Sequence, residues 1–217
     1  MRGSTAQRVS RLALSLARQP QFIASYLRYL PLWKRAPVDV ELPWISYGAI
    51  AFLENYLLPE HRVFEFGSGG SSFFFARRVA SLLSVENHAE WQERVAALAL
   101  ERKLSNLQCE LHPIDPNHPE KYPTLSYFTR LQPTQPYDVI VVDGYCDYEN
   151  AQCGGLRHIA FDRALDCVRR PGGIIVVDDY WMFPEMATRA PEARVTVFES
   201  PGPCRYGVTA TAIFAFD

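Results

Sequence analysis

Long apolar runs are missing from this 217-residue chain. Nothing in it approaches the roughly 18–20 consecutive apolar residues that span a bilayer, so no transmembrane segment is expected. The first 20 residues interrupt their apolar positions too often for a secretory h-region, and a cytoplasmic location is the expectation that follows. Cysteine is sparse and irregularly spaced. The five cysteines (Cys109, Cys146, Cys153, Cys167, Cys204) form no CxxC pair and are odd in number, which suits neither a zinc site nor a disulfide framework. Only Cys146 and Cys153 are close enough in sequence to suggest a pair. Excess charge is also lacking: the formal net charge is −2, which argues against a general nucleic-acid binder, and no nucleic-acid partner is expected. What the chain does have is 48% hydrophobic residues, enough for one packed domain, with or without a short appendage.

Acidic residues are absent before Asp39, while seven basic ones occur there (Arg2, Arg8, Arg11, Arg18, Arg28, Lys34, Arg35). The rest of the chain therefore carries a formal −9. A basic arm on an acidic body can be a solvated helix face. It can also make weak contact with a membrane surface, bind an anionic substrate or embrace a second copy in a homodimer. Residues 1–44 read as a basic helical extension, with helices over Ala6–Arg18 and Phe22–Leu30, and prolines at 31, 37 and 43 as punctuation. A third helix is expected over Ile45–Leu58.

From residue 62 short apolar runs alternate with helical stretches. Arg62–Phe66, Leu82–Glu86, Leu107–Pro113, Tyr137–Asp143 and Ile174–Asp178 read as strands. Helices are expected over Ser71–Ala80, from Ala89 to about Lys103, and over Phe161–Arg169. That alternation implies a parallel α/β sheet with right-handed crossovers. Arg194–Glu199 and Val208–Phe216 are separated by too few residues for a helical crossover, so they are expected to form an antiparallel hairpin. Between the third and fourth strands, residues 117–136 carry four prolines and read as a lid or dimer contact.

The segment Val63-Phe-Glu-Phe-Gly-Ser-Gly-Gly-Ser-Ser72 runs a strand into a glycine turn and opens a helix. Glycines there allow a sharp turn and a close ligand approach. Glu86 follows Gly67 by nineteen residues, at the end of the second strand, where a carboxylate can accept from both hydroxyls of a ribose. Two nucleoside cofactors suit such a turn. S-adenosylmethionine is favoured over a dinucleotide by three features. Glu65 would repel a pyrophosphate, Ser72 replaces the third fingerprint glycine, and the closing hairpin departs from dinucleotide folds.

These residues give the chain a resemblance to the class I S-adenosylmethionine-dependent methyltransferases over about residues 45–217. The shared marks are Glu65-Phe66-Gly67-Ser68-Gly69, Glu86, Asp143 after the fourth strand, and a Pro-Gly-Gly entry to the fifth. The resemblance implies a Rossmann-like doubly wound sheet of about seven strands, mostly parallel. It places Gly67 and Gly69 against the methionine part of the cofactor, Glu65 near its amino group and Glu86 on its ribose. Ser68, Ser71, Asn87 and Asp143 would lie beside them, with Asp115 nearest the adenine. The pair Ser71-Ser72, with Val85-Glu86-Asn87 and Trp91, resembles a small-molecule branch of that family.

Asp143, Asp178 and Asp179 end adjacent strands and are expected to converge. Crowded carboxylates need a cation, a proton or an arginine between them. One reading resembles the catechol-type O-methyltransferases and has the three acids hold Mg2+, which would activate a substrate hydroxyl. That family has a lysine shortly after the first acid, where this chain has Gly144-Tyr145-Cys146-Asp147-Tyr148. In the other reading Asp143 orients the donor or accepts a proton, Arg157 pairs with Asp178, and Asp179 caps the next segment. His158, expected just before a helix, is a candidate base. Trp44, Tyr47, Tyr122, Tyr127, Phe128, Tyr180 and Trp181 suit core or lid packing or an apolar acceptor pocket.

The function expected is methyl transfer to a hydroxyl, less readily an amine, of a small-molecule acceptor. A non-catalytic cofactor-binding or assembly protein and an NAD(P)-dependent oxidoreductase are the alternatives. Glu86→Ala is expected to weaken donor binding and leave the fold intact.

Overall fold

The computed structural model describes residues 4–32, 35, 37–144 and 155–217. Arg2, Lys34, Tyr145, Cys146, Tyr148 and Cys153 lie outside them. Seven strands form one sheet: β1 (Arg62–Phe66), β2 (Ser81–Glu86), β3 (Leu107–Leu111), β4 (Val139–Val142), β5 (Ile174–Val177), β6 (Arg194–Pro201) and β7 (Val208–Ala215). Their spatial order is β3-β2-β1-β4-β5-β7-β6. The first five are parallel, and β7 runs antiparallel between β5 and β6. The expected hairpin is present, and the dinucleotide alternative depended on its absence.

Strand alternation assigns each residue to one of two cores. Phe64, Phe66, Ile140, Val142, Ile175 and Val177 face one side, and Val63, Val139, Val141, Ile174 and Val176 the other. This period of two with both faces apolar is what a sheet covered on both sides demands. The second face is covered by α4 (Tyr47–Tyr56) and α5 (Gly70–Ala76), preceded in the chain by α1 (Thr5–Arg18), α2 (Ile23–Tyr29) and the single turn α3 (Pro37–Val40). Next in the chain comes α6 (Ala89–Glu101), which packs through Val95 and Ala99 near Phe73. The first face is covered by α7 (Ser126–Thr129) and α8 (Gly155–Cys167).

The basic extension is docked. Ser4 and Gln7 form a capping box that starts α1. Leu12 and Leu16 then pack on the same core as Ile45 and Tyr47, while the Gln19 side-chain amide donates to the Glu199 carbonyl on β6 (2.9 Å). Arg8, Arg11 and Arg18 stay exposed.

Two sequence readings change here. Residues 117–136 send four side chains into the core, Tyr122, Phe128 and Leu131 fully buried in the first cluster and Tyr127 nearly so, while residues 132–136 are exposed. The prolines shape a 3-10 turn over Pro119–Thr124, which steers these rings inward instead of raising a lid. The helix before β5 begins at Gly155 and not at Phe161. Leu156, Ala160, Phe161 and Ala164 form its buried stripe, and no proline or glycine after Gly155 interrupts that spacing. His158 consequently lies inside α8.

Candidate active site

The strand order reverses between β1 and β4, and the carboxyl ends of those strands open a cleft of about 280 Å³. It is lined by Trp44, residues 67–71, Trp91, Asp143 and Gly144. Glycine is required at two of these positions by the protein itself. Gly67 has φ +87° and Gly144 φ +89°, a region that side chains avoid. A Cβ on Gly67 would stand 2.5 Å from the Gly144 Cα, so the two turns touch. Gly69 is different. Its backbone is extended, and a Cβ there would meet only Trp91, at 3.9 Å. Nothing in the protein demands a glycine at 69, and its bareness leaves room in the cleft.

The first two residues of the turn, Gly67 and Ser68, are pinned. Gly67 N–H donates to the Val85 carbonyl (2.8 Å), and the Ser84 hydroxyl donates to the Gly67 carbonyl (2.9 Å). Ser68 N–H and hydroxyl both donate to Glu86 Oε2 (2.9 and 3.0 Å), and the Trp91 indole donates to the Ser68 carbonyl (2.6 Å). Glu86 Oε1 accepts from Asn87 N–H and His88 N–H (2.8 and 3.0 Å). Four donors therefore fill the four lone-pair positions of one carboxylate. Of these, only the Ser68 hydroxyl can swing aside by rotating about a single bond.

Glu65 lies beneath the turn and is fully buried. The Ser72 hydroxyl accepts from Gly69 N–H (3.0 Å) and donates to Glu65 Oε2 (2.6 Å). Oε1 is buried and has no partner in hydrogen-bond geometry. Burial pushes this carboxyl up to about 8; the hydroxyls of Ser71, Ser72 and Ser84 oppose the rise and the Asp143 charge adds to it.

Asp143, Asp178 and Asp179 each have separate partners. The Arg157 guanidinium, only 5% exposed, donates from Nη2 to Asp143 Oδ1 and to the Gly144 carbonyl (2.8 Å each). Its Nη1 donates to the Val142 carbonyl (2.9 Å) and, more weakly, to the Asp178 carbonyl (3.4 Å). Arginine 157 thus pairs with Asp143, where the sequence reading paired it with Asp178. Asp178 Oδ1 instead accepts from the Thr211 hydroxyl (3.0 Å), and its carboxyl is pushed up by burial first and then by Asp143 and Asp179. Asp179 Oδ1 accepts from the Trp181 indole and the Thr209 hydroxyl (3.1 Å each) and makes no helix cap.

Magnesium held by these three acids does not fit this arrangement. Arg157 already supplies the cation at Asp143, and Asp178 and Asp179 accept from the neutral donors Thr211, Trp181 and Thr209. Among the described residues no three His, Cys, Asp or Glu side chains gather as a ligand set. S-adenosylmethionine is compatible with two observations: Glu65 keeps a buried carboxylate oxygen without a partner, a match for a cationic amino group, and Gly69 brings no side chain into the cleft lining.

Of the predicted site residues, Gly67, Ser68, Gly69, Ser71 and Asp143 line the cleft, Glu65, Glu86, Asn87, Asp178 and Asp179 lie outside its lining, and Asp115 and His158 are bonded elsewhere. Asp115 is exposed in the loop after β3, where it accepts from the Asn117 N–H and side-chain amide (2.9 Å each). His158 bonds Glu185 through Nε2 (2.6 Å) and packs edge-on against Phe183. Among the seven aromatic candidates, Tyr47, Tyr122, Tyr127 and Phe128 are core residues, Tyr180 is buried, and Trp44 and Trp181 line cavities. Trp91 as a clamp on the turn and Arg157 as the partner of Asp143 are the site residues that the sequence reading did not assign. The 5 + 18 spacing from Glu86 to Trp91 and Ser68 carries no signal for the first, and an arginine inside an apolar helical stripe is the one hint for the second.

No protein-family model matches the sequence, and no curated protein matches it. Solved structures do. The O-methyltransferase TomG from Streptomyces achromogenes, involved in tomaymycin synthesis and seen with S-adenosylmethionine, superposes with a TM-score of 0.56 at 18% identity. That match covers 96% of this chain and 98% of TomG. A Klebsiella pneumoniae protein with the provisional name O-methyltransferase gives 0.59 at 16% identity, over 97% and 100% of the two chains. An rRNA methylase from Streptococcus thermophilus gives 0.54 at 12%, over 79% and 96%.

Proposed function

We propose that this chain, which has the class I methyltransferase fold, transfers a methyl group from S-adenosylmethionine to a hydroxyl of a small molecule. The observation that carries this reading is the unpartnered Oε1 of Glu65, buried beside a glycine turn in which every polar group of Gly67 and Ser68 is bonded. An ammonium group is the ligand chemistry such an oxygen calls for. When bound, the donor supplies an already activated methyl group.

The chain's own residues then have three tasks. Gly67 and Gly69 let the ligand lie against bare backbone, and Glu86 takes a ribose hydroxyl in exchange for the Ser68 hydroxyl. Asp143 opens to the cleft (29% exposed) with Arg157 fixing its orientation. A carboxylate is a weak base toward an intact hydroxyl. As the new oxygen–carbon bond forms that proton becomes far more acidic, and Asp143 gives it an acceptor. Positioning contributes most: well-oriented reactants gain roughly 7–11 kcal/mol.

The small-molecule acceptor is supported by coverage. Two structures that match nearly this whole chain, and so include most of its first 44 residues, bear O-methyltransferase names, whereas the rRNA methylase match covers 79%. The test is a thermal-shift and calorimetric titration with S-adenosylhomocysteine and, separately, NADH. A ligand that binds only the folded form raises its melting temperature. Stabilisation by S-adenosylhomocysteine alone is expected; none by it would remove the proposal.

A further inference from the structure

A second cavity, about 290 Å³, lies at the carboxyl end of β5 under α1. Arg8 and Arg11 reach it from one face of that helix, being three residues apart, and Arg205 reaches it from the turn of the β6–β7 hairpin. Asp179, Trp181 and Tyr206 complete the polar and aromatic wall. Three guanidiniums thus line the cavity beside one carboxylate, Asp179, whose Oδ1 accepts from the Trp181 indole and the Thr209 hydroxyl. The rest of the molecule is net acidic, so this concentration of positive charge is local.

The cavity adjoins the cofactor cleft. Arg205 lies over the Trp44 ring, 5.7 Å from its centroid, and Trp44 lines the cleft that also holds Asp143. This pair therefore joins the linings of the two spaces. From the charge, the aromatic walls and this junction, we infer that the cavity binds the anionic group, carboxylate or phosphate, of a small acceptor whose hydroxyl reaches past Trp44 toward Asp143. As an acceptor subsite this rests on the methyl-transfer reading; as an anion site it stands on its own residues. Guanidiniums bind both anions through paired N–H donors, and flat rings suit an aromatic or sugar body between them. A volume of about 290 Å³ favours one small anion over a polyphosphate backbone.

The experiment uses the full chain and the double variant Arg8→Gln/Arg11→Gln, both on α1 and neither in the cofactor cleft lining. Calorimetry first measures S-adenosylhomocysteine, which is expected to bind both proteins alike. Benzoate, phenyl phosphate and neutral benzyl alcohol are then titrated with and without it. Benzoate or phenyl phosphate is expected to bind the wild type, with the stronger of the two naming the anion. Loss of each guanidinium should weaken it about tenfold, and benzyl alcohol should bind at least tenfold more weakly than the anion. Equal binding of anion by the two proteins, or of alcohol and anion by the wild type, overturns the inference. So does displacement of the anion by an RNA oligonucleotide of higher affinity, which would make the surface a polymer site. Anion binding without any binding of S-adenosylhomocysteine would instead sink the methyl-transfer reading and leave the anion site standing.

Discussion

The two cavities at the carboxyl edge of the sheet have nearly the same volume, about 280 and 290 Å³, and opposite construction. The cofactor cleft is built from backbone. Every polar group of residues 67 and 68 that the turn presents is tied to β2, α6 or Glu86, and a single oxygen on Glu65 is left over. The neighbouring cavity is built from long side chains on a helix and a hairpin turn. A site of the first kind tolerates little substitution, because its shape is set by main-chain contacts. A site of the second kind can change its ligand by exchanging side chains while the sheet stays the same.

The sharpest way to break this contrast is Gly67→Ala. The residue would have to hold φ +87° with a Cβ 2.5 Å from the Gly144 Cα. Left-handed backbone and overpacking each cost about 1–3 kcal/mol, so a combined loss near 4 kcal/mol in urea unfolding is expected, with no donor binding. Gly69→Ala is its control. With only Trp91 at 3.9 Å to meet, it should change stability by about 1 kcal/mol or less and still weaken S-adenosylhomocysteine binding. Equal stability losses in the two variants would show that the turn is not held by the Gly67–Gly144 contact.

Next in size is Arg157→Met. It removes the partner of Asp143 and strips a donor from the Val142 and Gly144 carbonyls at a nearly buried position. A loss of about 3 kcal/mol is expected from an uncompensated charge. An unchanged denaturation midpoint would mean that water replaces the guanidinium.

Glu86 and Ser68 form a smaller, opposed pair. Glu86→Ala leaves Ser68, Asn87 and His88 N–H groups without their acceptor. It should therefore cost stability, about 2 kcal/mol, as well as donor affinity, in place of the intact fold expected from sequence. Ser68→Ala takes away only the hydroxyl that competes for Oε2, and donor affinity should hold or rise a few-fold by calorimetry. A tenfold loss in Ser68→Ala would assign the hydroxyl, and not Glu86, to the ligand.

The fold was legible because its signals are one-dimensional. Strands such as Val139–Val142 and Ile174–Val177 are apolar on both faces, and the short Ser200–Gly207 gap forces a hairpin. The glycine turn was legible for the same reason: Glu65, Gly67 and Glu86 are fixed by strand ends. The partners of the acids were not, because Arg157 meets Asp143 across the gap between α8 and β4, and spacing in the chain says nothing about which of two adjacent carboxylates a guanidinium reaches. Asp115 was misplaced by the same blindness, since a loop acid can satisfy itself locally on Asn117. The arginine cavity needed three segments, α1, the β5 end and the hairpin turn, that only the fold brings together.

The smallest signal is a count of protons, and it tests Glu65 directly. Its carboxyl titrates at about 8 in the folded protein against 4.5 in the open chain, so between those values the folded state holds a proton that the unfolded state has lost. The contribution to stability is thus full below pH 4.5 and is lost as pH rises through 8, and Glu65→Gln should flatten that part of the stability profile. An ammonium group beside Oε1 would reverse the preference and favour the ionised form. Binding of S-adenosylhomocysteine at pH 7 should then release close to one proton, read by calorimetry in two buffers of different ionisation enthalpy, and the release should vanish in Glu65→Gln. Identical heats in both buffers for the wild type would mean that the ligand's amino group never reaches this oxygen.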